Sequence, residues 1–129
     1  MNRGLALKVV LGLVGLIFVA SAFPLVTFVR AEPALSMMFS LYVTLGVFLL
    51  LAIRNPSESR TLIAFTAWSS FAHAGIMGFQ ALRGMISRVE LAGVALLVVI
   101  GIALIALTPA KRPTDHASES TVAEKQSAR

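Results

Sequence analysis

Histidine is the residue least at home in an apolar sequence, and His73 sits near the middle of a long apolar run. An ionisable side chain at that depth is a functional candidate by default, because it must face a protein interior or water to be tolerated in hydrocarbon. On a helix, Thr66, Ser69, His73, Met77 and Gln80 recur at steps of three or four and form one polar stripe. Two chemistries follow. His73 could act as a proton relay, ligand contact or metal ligand, with Gln80, Ser69, Thr66 and Met77 completing a ligand or proton site. Equally, a neutral imidazole hydrogen-bonded to Ser69, Ser40, Thr44 or Tyr42 would fix helix register and do no chemistry. A second stripe, Ser70, Ala74 and Gly78, is a small-xxx-small pattern that lets another helix approach closely.

Other chemistries lack their residues. The chain has no cysteine, which removes thiolate nucleophiles, disulfides and zinc ribbons. Glu32, Glu58 and Glu90 lie at the ends of apolar runs or between them, so no carboxylate is buried in one. Compact multidrug exporters share this length and helix number, but their acidic residue in the first helix has no counterpart here. A small transporter therefore ranks last among the readings. His73 and Met77, at i and i+4, are too few to close a metal or haem site, so no cofactor is expected. No catalytic set is present, which leans against an enzyme.

The elements that position these residues are four apolar segments, at about 5–29, 34–53, 62–82 and 89–107. Each is near or above the ~17–20 residues a helix needs to cross ~30 Å of hydrocarbon. They lack the alternation of barrel strands. Hydrophobic residues make up 57% of the 129 and charged residues 13%; a soluble domain carries roughly 25% charged residues. The expected fold is all-α: a polytopic membrane protein with an antiparallel bundle of four transmembrane helices over residues 1–108. Residues 109–129 are polar and poor in groups to bury, which predicts a disordered cytoplasmic tail. The first segment also has features of a signal peptide, with Arg3 and Lys8 before Ala20-Ser21-Ala22, but its apolar run continues to Val29 and favours a retained span.

The net charge of +5 comes from bases in links and termini, which argues for membrane orientation and against nucleic-acid binding. With the N-terminus inside, Arg3, Lys8, Arg54, Arg60, Lys111, Arg112, Lys125 and Arg129 are cytoplasmic, against Arg30, Arg83 and Arg88 on the other side. The positive-inside rule then places both termini in the cytoplasm. Short links predict that consecutive helices are antiparallel neighbours. Pro33 suits a first helical turn, and Ser57 or Ser59 could cap the third helix. Gly12, Gly15, Gly93 and Gly101 permit close helix crossings, and Ser36, Ser40 and Thr44, with Tyr42 and Gly46, form either a packing seam or part of a polar pocket.

Arg54-Asn55-Pro56, the run Leu62 to Ser70 and the segment His73-Ala74-Gly75-Ile76-Met77 resemble a family of small bacterial four-helix membrane proteins of unknown function. The resemblance covers residues 24–107, and its most specific part is Trp-Ser-Ser-x-x-His, here Trp68 to His73. It implies the bacterial inner membrane and no particular activity. A looser architectural similarity runs to DoxX-type membrane proteins. The expected partners are the lipid bilayer and a second copy or another membrane protein. The leading expectation is a non-enzymatic packing or accessory role through the third helix. The alternative is a site for a lipid-like molecule or quinone, as an oxidoreductase accessory, at His73.

Overall fold

The computed structural model describes residues 2–109 and 114–129. Its helices are α1 (Arg3–Ala20), α2 (Ala22–Phe28), α3 (Pro33–Ala52), α4 (Arg60–Leu82), α5 (Arg88–Leu107) and α6 (Thr114–Ser127). The described residues form no strand. Four spans are long and apolar enough to cross a membrane: α1 with α2, α3, α4 and α5. At about 1.5 Å per residue, the 20 residues of α3 or α5 cover roughly 30 Å. Outward-facing Leu13, Leu16, Phe23, Val47, Ile76 and Val99 would be an aggregation liability in water and are ordinary against lipid.

Local sequence explains where the helices begin, break and stop. The first span, expected to be continuous, breaks at Ser21. Pro24 has no N–H to give the Ala20 carbonyl, and its ring crowds that turn. Pro33 occupies the first turn of α3, where a missing donor costs nothing. Ser59 precedes α4 as expected, but its side chain makes no capping bond. The stop of α4 is a glycine one. Gly84 adopts φ +67°, its N–H reaches the Ala81 carbonyl at 3.0 Å, and the Met85 N–H reaches Gln80 at 2.9 Å. Ser87 and Glu90 then open α5 with a reciprocal capping box. That cap extends the fourth span one turn beyond its purely apolar run.

Two antiparallel pairs make the body. In the first, α1 lies along α3, with α2 continuing the contact; in the second, α4 lies along α5. A contact between α1 and α5 joins the pairs, and the Arg3 guanidinium donates to the Ala106 carbonyl at 2.6 Å. The expectation that all consecutive helices are close neighbours fails at one seam: α3 and α4 meet only briefly despite their short link. The buried stripes show why. Leu7, Leu11, Val14 and Phe18 run down α1, and Ile63, Thr66, Ala67, Ser70 and Ala74 down α4. Along α3 the buried positions skip from Ser36 to Gly46. Between them the helix stands away from α4.

The closest crossing is glycine on glycine. A Cβ on Gly46 would lie 2.8 Å from the Gly15 carbonyl oxygen and 2.8 Å from the Val19 nitrogen, so α1 and α3 touch backbone to backbone. Gly101 on α5 receives the Phe71 ring, whose edge would lie 2.7 Å from an added Cβ. Gly12 and Gly93 make no comparably tight approach.

The polar tail carries a helix of its own. Thr114–Ser127 is helical, and its residues from Glu119 onward are exposed. Its composition lacks a core-forming face, but Ala, Glu, Lys and Gln favour helix locally without one. Lys111, Arg112 and Pro113, which open the tail in the sequence, lie outside the described residues.

Candidate functional site

The gap between α3 and α4 is a groove of about 400 Å³. Met38, Leu41, Tyr42, Thr44, Leu45 and Phe48 line it from α3, and Phe65, Ser69 and His73 from α4. It opens sideways: Leu41 is 72% exposed and Phe65 63%. Among the described residues no charged one lines it.

His73 is half-buried in this groove. Its ring meets Tyr42 edge to face, with centroids 5.7 Å apart and planes at 82°. Tyr42 in turn packs on Phe18, at 5.0 Å and 55°. The three rings form a string across α4, α3 and α1, which accounts for how His73 is oriented. Among the described residues, neither the imidazole nor the Tyr42 hydroxyl has a hydrogen-bond partner. The register-fixing bonds expected from His73 to Ser69, Ser40, Thr44 or Tyr42 are not made. The hydroxyls instead serve their own helices. Ser69 donates to the Thr66 carbonyl at 3.1 Å, Thr44 to Ser40 at 2.9 Å and Ser40 to Met37 at 2.7 Å.

The sequence-derived set therefore divides. Ser69 and His73 share the groove. Thr66 is fully buried and donates to the Leu62 carbonyl at 2.9 Å. Met77 packs against the apolar core, and Gln80 lies toward the end of α4, away from the groove. In the packing stripe, Ser70 and Ala74 are buried within the chain, and Ser70 donates to Thr66 at 2.7 Å. A Cβ on Gly78 would meet nothing within 4 Å, so none of the described helices closes on that glycine. Tyr42, one of the partners expected for His73, meets it through its ring and not by a hydrogen bond, and Met38 is the groove residue that sequence spacing does not place near His73. Spacing relates positions on one helix, whereas this pairing depends on how two helices lie. Tyr42, the chain's single tyrosine, was the available signal.

A family of unknown function, DUF6632, matches residues 5–123. The chain belongs to this family. The match takes in all four apolar helices and with them both walls of the groove. No curated protein and no solved structure matches the chain. Family membership therefore brings no activity, and the groove has to be interpreted from its own chemistry.

Among the described residues no group of three or more His, Cys, Asp or Glu could hold a metal ion. A second hollow, of about 300 Å³, lies between the start of α4 and the end of α5, with Arg60, Trp68 and Thr108 among its lining residues. At the opposite end of the molecule, the Arg83 guanidinium lies 5.6 Å from the Phe79 ring centre, and Glu90 is engaged with the Ser87 backbone.

Proposed function

We propose that this chain is a non-enzymatic integral membrane protein that holds a lipid-like molecule in the lateral groove between α3 and α4. One observation carries the reading. His73 and Tyr42 stand in the middle of the apolar spans without hydrogen-bond partners among the described residues. In hydrocarbon an unsatisfied polar group costs several kcal/mol. A bound molecule with its own polar group removes that cost. A volume of about 400 Å³ with mostly apolar walls falls in the usual range for small-molecule sites.

Interaction with a partner through Ser70 and Ala74 is less well supported, because both side chains are already covered inside the chain. The likeness to DoxX-type proteins carries no activity to this one. A bacterial inner membrane with both termini cytoplasmic remains the proposed setting. Its support is the gathering of Arg3, Arg54 and Arg60 at one end of the spans.

The test is native mass spectrometry of the full chain released from lipid nanodiscs, wild type beside Thr44→Trp. Thr44 is an exposed groove residue, so an indole there fills the space without entering the core. Wild type is expected to retain a molecule that the variant lacks. Identical spectra would overturn the proposal.

A further inference from the structure

The geometry points to a neutral, flat molecule bearing carbonyl oxygens, a quinone ring on an apolar tail, as the occupant of the α3/α4 groove. This rests on the groove being a binding site and deepens it by naming the ligand class. Three features narrow the choice.

Depth comes first. At about 1.5 Å per residue, His73 lies roughly 20 Å along α4 from Arg60 and roughly 14 Å from Leu82. Its ring is therefore near the middle of the hydrocarbon, which is ~30 Å thick. A phospholipid keeps its headgroup at the surface and can bring only an acyl chain to this depth. Such a chain would leave His73 and Tyr42 unsatisfied. A molecule whose polar part dissolves inside the bilayer is required.

Charge is the second feature. Among the described residues no Lys, Arg, Asp or Glu lines the groove, so a carboxylate or ammonium brought there would have no counter-ion. Fatty acid anions and cationic amphiphiles are excluded on that ground.

The third is donor balance. Ser69 and Thr44 have given their protons to the Thr66 and Ser40 carbonyls. The Tyr42 hydroxyl and the protonated ring nitrogen of a neutral His73 remain to donate. These two donors, on rings whose centroids are 5.7 Å apart, can both be satisfied by carbonyl oxygens of one molecule, although each group can also accept. The walls suit a flat conjugated ring, since Phe48 and Phe65 stand at the rim with Tyr42 between the helices. The sideways opening lets an apolar tail run into the lipid.

The experiment uses the full chain in phosphatidylcholine nanodiscs, loaded with a decyl-substituted benzoquinone, dodecanol or oleate. Ligand retained after gel filtration is measured against empty nanodiscs. The quinone is expected to be retained in proportion to protein, and dodecanol and oleate at the level of empty discs. Tyr42→Phe, which keeps the ring packed on Phe18, should weaken quinone retention about tenfold, the scale of one hydrogen bond. His73→Leu should do the same, and His73→Gln, which keeps an N–H donor, should recover part of the loss. Quinone retention equal to empty discs would overturn the inference. So would retention unchanged in both Tyr42→Phe and His73→Leu. Preferential retention of dodecanol or oleate that Thr44→Trp abolishes would overturn the quinone assignment and leave the groove as a binding site. Failure of Thr44→Trp to alter any ligand would remove both.

Discussion

At the scale of single residues, the glycines differ sharply in what they tolerate. An added methyl at Gly46 meets backbone on the facing helix, which can yield only if α1 and α3 separate. Gly46→Ala is expected to cost roughly 1–3 kcal/mol, as overpacking does. At Gly101 the obstacle is the edge of the Phe71 ring, which can turn, so Gly101→Ala should cost clearly less than Gly46→Ala. Gly78→Ala should be close to neutral, because nothing stands near its added carbon. Thermal unfolding of the three variants in one detergent would give the ranking, and a Gly78 variant as damaging as the Gly46 one would contradict it. His73 was legible as the residue to watch from its type and depth alone. Its neighbours were less so. Thr66 shares a stripe with it by spacing, yet lies on the edge of the buried face and turns into the core. Helical periodicity groups residues within tens of degrees, too coarsely to divide a core-facing hydroxyl from a groove-facing one.

At the scale of elements, the four spans and their approximate limits follow from hydropathy, and the proline and glycine punctuation follows from backbone chemistry. Two features escaped because apolar content was the signal used. The Ser87–Glu90 box has its serine and its glutamate three positions apart, as a capping box requires, but it lies ahead of the apolar run that marks the span. The α6 helix carries no apolar stripe to betray it. Ser87→Ala is expected to destabilise the start of α5 by about 1 kcal/mol, the usual worth of an N-cap. Amide hydrogen exchange at Val89, Glu90 and Leu91 would report it, as faster exchange confined to that turn. Unaltered protection there would show the cap to be dispensable. Pro24→Ala restores the missing donor at the Ser21 break, and amide hydrogen exchange in α2 is expected to slow, most around the substituted position.

At the scale of the molecule, hydropathy predicts four spans but not their arrangement. Short links imply adjacency, and two of the three links obey. The α3–α4 link does not, because α3 closes on α1, with Gly46 against Gly15 and Phe18, while α4 closes on α5. The open seam, and with it the groove, is a property of the packed set. Topology offers a further check, since the chain contains no cysteine of its own. A single cysteine at Ser57, between α3 and α4, should be shielded from an impermeant maleimide in intact spheroplasts. One at Met85, between α4 and α5, should be labelled. The reverse pattern would invert the proposed orientation.

The bond from Arg3 to the Ala106 carbonyl has a consequence for biogenesis. It joins the first of these four spans to the fourth. The α1–α3 pair can dock as soon as α3 is made, and the α4–α5 pair once α5 is made, so each hairpin-like half matures without the other. The contact between the halves, α1 against α5, closes only after both halves have been made. The two halves, divided in the Arg54–Ser59 link, should therefore insert as separate polypeptides and find each other in the bilayer.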